Sequence, residues 1–147
     1  MRLTLENKSV FEGQSFGAPR AVAGEVVFTT GMTGYVESLS DPSYAGQILV
    51  CAYPLIGNYG VPDRDFFESE KAQVAGLVVG EYSAEYSHGK AKESLGKWLT
   101  RSGVPAMTGV DTRAITKILR TRGVMLGYLS DGKKQMNFYN PNTENLV

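Results

Sequence analysis

The 147-residue sequence predicts a layered α/β domain, and three observations predict it. Two runs, Ile48-Leu49-Val50-Cys51-Ala52-Tyr53 and Val74-Ala75-Gly76-Leu77-Val78-Val79, are continuously apolar. Unbroken apolar runs of strand length mark strands covered on both faces, so something must pack above and below them. The third observation is the cover itself: in residues 90–101, Ala91, Leu95, Trp98 and Leu99 fall on one helical stripe.

Taken in chain order, Leu3, Leu5 and Val10 flank Asn7-Lys8 and predict an opening hairpin with one wet face. Residues 25–29 read as a short strand, and the two apolar runs follow as buried ones. In the 90–101 helix each large apolar side chain contributes roughly 1.5–3 kcal/mol on full burial. Gly96 costs only about 1 kcal/mol relative to alanine, so the stripe prevails. Ser102-Gly103 ends that helix, and Pro105 bars its continuation. A second helix opens at GVDTR, with Asp111 as N-cap, its charge suited to the positive helix end. Ile115, Ile118 and Leu119 form its buried stripe, and Arg113, Lys117 and Arg120 line another face. Gly123 stops the helix, residues 124–129 read as a last strand, and Ser130-Asp131-Gly132 as a turn. From Lys133 to Val147 the chain is polar, turn-rich and aperiodic, the start of a linker that follows a domain spanning 1–132.

A chain of this length buries roughly 68–70% of its unfolded surface and needs no disulfide or metal to fold. The lone Cys51 has no internal partner and fits a reducing compartment. No apolar run approaches the roughly 18–20 residues of a membrane span, and the N-terminus lacks a signal peptide's apolar stretch. The expected location is the cytoplasm, where the sequon Asn7-Lys8-Ser9 is idle. Net charge is zero but unevenly spread. Residues 21–87 carry two basic and nine acidic side chains, residues 88–134 ten basic and three acidic. Such asymmetry marks either a docking face or two halves that folding interleaves into solvated surface.

Catalytic residue types are sparse. Cys51 and His88 have the chemistry of a nucleophile and base. Cys51, however, sits mid-strand, where a thiol is a small hydrophobe, and not at the helix N-terminus that activates one. One Cys and one His without ligand spacing predict no zinc site. Asp63, Asp65, Glu68 and Glu70 lack the spacing of a calcium loop and read as a solvated acidic helix start. Gly31, Gly34, Gly57 and Gly60 form neither phosphate-loop pattern, so no cofactor is expected. Asp41-Pro42-Ser43-Tyr44 is different: Asp-Pro starts a turn that presents Ser43 beside a buried strand. Its hydroxyl either caps the next turn or donates to a ligand carboxylate.

The segments GEVVFTTGMTGYVESLSDPSYAGQILVCAYPLIGNYG, AGLVVGEYS and GVDTRAITKILRTRG together resemble the N-terminal domain of the carbamoyl-phosphate synthase small chain. The resemblance runs from Leu3 to about Gly132. It implies a β/β/α layered fold of the swivelling type. It also implies a role in a protein that hydrolyses glutamine and passes the ammonia to a large synthetase chain, for the carbamoyl phosphate of pyrimidine and arginine synthesis. In that family a glutaminase half follows, its Cys in a G-x-C-x-G elbow with a later His and Glu; none of these occurs here. The family's serine in the DPSY turn lines the glutamine site from across the domain interface, which carries over to Ser43. The implied partners are the protein's own glutaminase half, the large synthetase chain or domain, and glutamine. The chain is accordingly expected to be part of a longer protein, and alone neither to hydrolyse nor to bind glutamine. Two other classes compete: a free-standing protein-interaction module reusing the fold, and a nucleic-acid binder using the basic 88–134 stretch, for which no stacking motif is present.

Overall fold

A computed structural model describes residues 1–29, 39–52, 71–80, 96–131 and 138. Its strands are β1 (Arg2–Leu5), β2 (Val10–Glu12), β3 (Gln14–Ser15), β4 (Val22–Thr29), β5 (Gln47–Cys51), β6 (Gly76–Val79), β7 (Ala106–Thr108) and β8 (Met125–Ser130). They form one eight-stranded sheet of order β2-β1-β8-β4-β5-β6-β7-β3. Pairing is parallel across β4, β5, β6 and β7 and antiparallel elsewhere. A mixed α/β domain is thus what the chain forms.

The opening hairpin is present: Leu3 faces Phe11 and Thr4 faces Val10 across β1 and β2. Asn7 Oδ1 accepts from the Ser9 amide at 3.0 Å, and Lys8 takes a left-handed φ of 74° in the turn. One expectation needs correcting. Val10 is 48% exposed, because the register places Phe11, not Val10, opposite the buried Leu3.

β2 and β3 stand at opposite ends of the strand order, yet only Gly13 separates them in sequence. The single segment 10–15 therefore pairs with β1 by its first half and with β7 by its second, and the sheet returns on itself. Closure leaves little free edge for another chain to extend. Gly13 makes it possible: a Cβ there would fall against the Thr108 carbonyl oxygen and 2.8 Å from Val110 Cγ2.

Alternation along the central strands divides the core in two. Leu49, Cys51, Leu77, Val79 and Ala106 point to one face, where Trp98, Leu99, Leu39 and Ala72 cover them. Ile48, Val50, Val78 and Met107 point to the other, into a cluster with Leu3, Leu5, Val26, Met125 and Leu129. That second cluster unites strands far apart in the order, β1 with β7, which is what the curl of the sheet requires. Ile115 and Leu119 of helix α1 (Thr112–Arg122) belong to it too.

Both helix ends follow from sequence. Asp111 accepts from the Ala114 amide at 3.2 Å, and Gly123, at φ 79°, donates to the Leu119 carbonyl. The earlier helical stretch, described over 96–101, ends with Gly103 at φ 75°. There Gly103 donates to the Thr100 carbonyl and Val104 to that of Leu99, a Schellman closure. The last strand begins at Met125; Val124 is 61% exposed and outside it. Ala91, Leu95, Tyr53 and the 132/133 domain boundary lie outside the described residues.

Candidate functional site

Ser43 sits in a 3-10 turn, Pro42–Tyr44, that immediately precedes β5. The turn is built by its neighbours. Asp41 Oδ1 accepts from the Ser43 amide at 3.0 Å, the Asp41 carbonyl from the Tyr44 amide at 3.0 Å, and the Pro42 carbonyl from the Ala45 amide at 3.0 Å. Among the described residues the capping acceptor is thus the Asp41 carboxylate, and Ser43 lies exposed at the apex.

Both flanks are tied down. The Leu39 carbonyl accepts from the Gln73 and Val74 amides at 2.7 and 3.3 Å, Ala45 bridges Val74, and Tyr44 packs against the core. The 71–75 segment is itself held, since the Ala72 amide donates to Ser102 Oγ at 3.0 Å. Beyond the turn the chain passes close to β4: the Gly46 carbonyl accepts from Glu25 N, and Gln47 Nε2 donates to Glu25 Oε1 at 2.9 Å. A side chain on Gly24 would strike the Gly46 carbonyl oxygen.

This places Ser43 at the amino end of the parallel strands. The carboxyl ends of the same strands are marked by Thr29, Cys51, Val79 and Thr108. β5 alone is ~17 Å long at a strand's rise per residue, so Ser43 and that carboxyl-end rim are separate places.

No activated nucleophile accompanies it among the described residues. Cys51 is buried on β5, and desolvation pushes its thiol from 9.0 up to about 12. A thiolate is the reactive form, so a thiol shifted in that direction is inert. No three His, Cys, Asp or Glu side chains gather as a metal site among the described residues. His88, the acidic cluster Asp63–Glu70 and the glycines at 31, 34, 57 and 60 lie outside them. No helix among them is long and apolar enough to cross a membrane.

The basic stretch divides. Arg113, Lys117 and Arg120 are exposed on α1, with the Arg120 guanidinium 5.5 Å from the centroid of Phe28. Lys97 and Arg101 are exposed on the 96–101 helix, which packs on the opposite face of the central strands. Among the described residues these cations form no single stripe of the kind that tracks a phosphate backbone.

The chain is thus a mixed α/β module with Ser43 exposed on a braced turn at the amino end of its parallel strands. The family model of the carbamoyl-phosphate synthase small chain, CPSase domain, matches residues 3–129, and the chain belongs to that family. It is 58% identical over 139 residues to the multifunctional protein URA2 of Saccharomyces cerevisiae, covering 87% of this chain and 6% of that one. It is 53% identical over 159 residues to the carbamoyl phosphate synthase arginine-specific small chain of Schizosaccharomyces pombe, covering 99% of this chain and 38% of the relative. To the mitochondrial carbamoyl-phosphate synthase [ammonia] of Rattus norvegicus it is 49% identical over 154 residues, covering 99% and 10%. The chain thus spans well under half the length of these relatives. Among solved structures, an aminopeptidase from Aneurinibacillus sp. strain AM-1 shares the fold alone, with a TM-score of 0.51, 13% identity, and 88% of this chain and 29% of that one covered.

Proposed function

We propose that this chain is the N-terminal docking and substrate-positioning domain of the glutaminase (small) subunit of a carbamoyl-phosphate synthase, which supplies ammonia from glutamine for carbamoyl phosphate synthesis. The observation that carries the reading is the exposed Ser43 at the apex of a turn whose two flanks are fixed to the fold. The Ser43 hydroxyl donates to the α-carboxylate of glutamine bound in the glutaminase half of the same protein. The reacting amide, at the far end of the substrate, is left to that half's nucleophile. Ammonia then passes to a large synthetase chain or domain, against which this domain also docks.

A hydrogen bond to a charged group contributes about 1.5–3 kcal/mol. The α-carboxylate does not change charge during amide hydrolysis, so the contact is equally strong in the ground and transition states. Such uniform binding lowers KM and leaves kcat alone. One relative's name specifies ammonia while others name arginine-specific small chains, all at comparable identity. Relatives whose names differ this far share the domain, which suits a docking role more than a catalytic one. The second core cluster, set between the antiparallel strands and the parallel ones, with the 96–101 helix outside, supports the β/β/α layering of a swivelling domain. The single buried Cys51 supports a reducing compartment, the cytoplasm.

The test is Ser43→Ala in the complete protein. Glutamine-dependent carbamoyl phosphate synthesis is expected to show KM for glutamine raised about tenfold or more with kcat unchanged. The rate with ammonia supplied directly stays at the wild-type value. An unchanged KM refutes the role of Ser43.

A further inference from the structure

We infer that Asp41 is the positioning residue for Ser43, acting through the backbone and without touching glutamine; the inference rests on the role proposed for Ser43 above. Three hydrogen bonds close the turn, and two of them run between main-chain atoms. The third is the bond from the Ser43 amide to Asp41 Oδ1, at 3.0 Å, the one of the three made by a side chain, and it holds the N–H of the peptide whose carbonyl, that of Pro42, accepts from Ala45. Pro42 presets its own φ and has no amide to give, so it cannot substitute for that bond. The anchors at Leu39, Tyr44 and Ala45 hold the turn against the fold, and the Ser43 N–H is left to Asp41.

The charge of Asp41 points the same way. A carboxylate two residues from a hydroxyl that receives another carboxylate is electrostatically unfavourable for binding. What Asp41 offers is its acceptor oxygen, engaged inward on the Ser43 amide. Asparagine caps as well as aspartate and carries no charge. The geometry thus separates two functions of the side chain, and one substitution removes each.

The experiment uses the complete protein and measures KM for glutamine and kcat, with ammonia-dependent synthesis as the control for folding and docking. Asp41→Ala is expected to raise KM about three- to tenfold with kcat and the ammonia rate unchanged. Asp41→Asn is expected to hold KM at or below the wild-type value. The double variant with Ser43→Ala should be no worse than Ser43→Ala alone, because both remove one contact. If Asp41→Ala loses the ammonia rate as well, Asp41→Ser, with a shorter acceptor, replaces it, and a KM between those of wild type and Ser43→Ala is expected. Equal KM increases in Asp41→Asn and Asp41→Ala would overturn the inference, since they would mean that the charge itself meets the substrate. A wild-type KM in Asp41→Ala beside a raised KM in Ser43→Ala would also overturn it, leaving the role of Ser43 intact. A wild-type KM in Ser43→Ala would remove both.

Discussion

Replacing Gly13 with alanine tests whether the 10–15 segment closes the sheet. The new methyl would meet the Thr108 carbonyl oxygen and lie 2.8 Å from Val110 Cγ2 and 2.9 Å from Met107 Cγ. The two side chains have some freedom, but the carbonyl belongs to β7, whose Thr108 pairs with Gln14. Relief requires the segment to lift off, which weakens that pair and the Gly13 amide bond to the Met1 carbonyl at 3.1 Å. Overpacking costs about 1–3 kcal/mol and each lost hydrogen bond about 1 kcal/mol, so about 3 kcal/mol is expected. For a domain of this size that corresponds to a Tm lower by about 6–12 °C. Urea and thermal unfolding followed by circular dichroism measure it. Gly109→Ala is the reference: its φ of 80° is unfavourable for a side chain, but nothing lies within 4 Å, so about 1 kcal/mol is expected. A Gly13→Ala protein within about 0.5 kcal/mol of wild type, below the Gly109 reference, would refute closure through this residue.

Two further outcomes follow from the packing. Gly96→Ala, which helix propensity alone makes stabilising by about 1 kcal/mol, is expected to destabilise instead, because its Cβ would lie 2.7 Å from the Phe16 carbonyl oxygen; a raised Tm would show that this contact relaxes freely. Burial favours the neutral Cys51 thiol, whose folded value of about 12 exceeds the unfolded one. Its stabilisation is therefore complete below about pH 9 and lost as pH rises from there toward 12. Unfolding free energy should fall about 1.4 kcal/mol per pH unit more steeply than in Cys51→Ala between pH 9 and 11, and parallel slopes would contradict it.

What the sequence made legible was what local chemistry decides. Ile48–Cys51 and Leu77–Val79 read as two-sided strands because both of their faces are covered. Asp111, Gly103 and Gly123 marked helix ends because cap geometry selects their residue types. Long-range placement was not legible. β3 and β7 are two and three residues long, too short for any period to show, and the insertion of β8 between β1 and β4 has no local signature. Gly96 read as a weakness in its helix, since propensity carries no information about the Phe16 backbone against it. The outward placement of Val10 was not legible either, because strand alternation does not reveal register across a turn. Of the site, Asp-Pro announced a turn presenting Ser43, and the family resemblance chose the ligand role of its hydroxyl over the capping one. The part played by Asp41 needed the geometry, since an aspartate before a proline is ordinary turn chemistry.

Substrate positioning, with the chemistry done elsewhere, is the role proposed for this chain. Its most direct test is to titrate glutamine into the purified 147-residue chain by calorimetry and assay released ammonia in the same cell, with the complete protein run in parallel. No binding heat and no ammonia are expected from the chain alone, and both from the complete protein. Ammonia released by the chain alone would contradict it, because neither the buried Cys51 nor the braced Ser43 is equipped to break the amide bond.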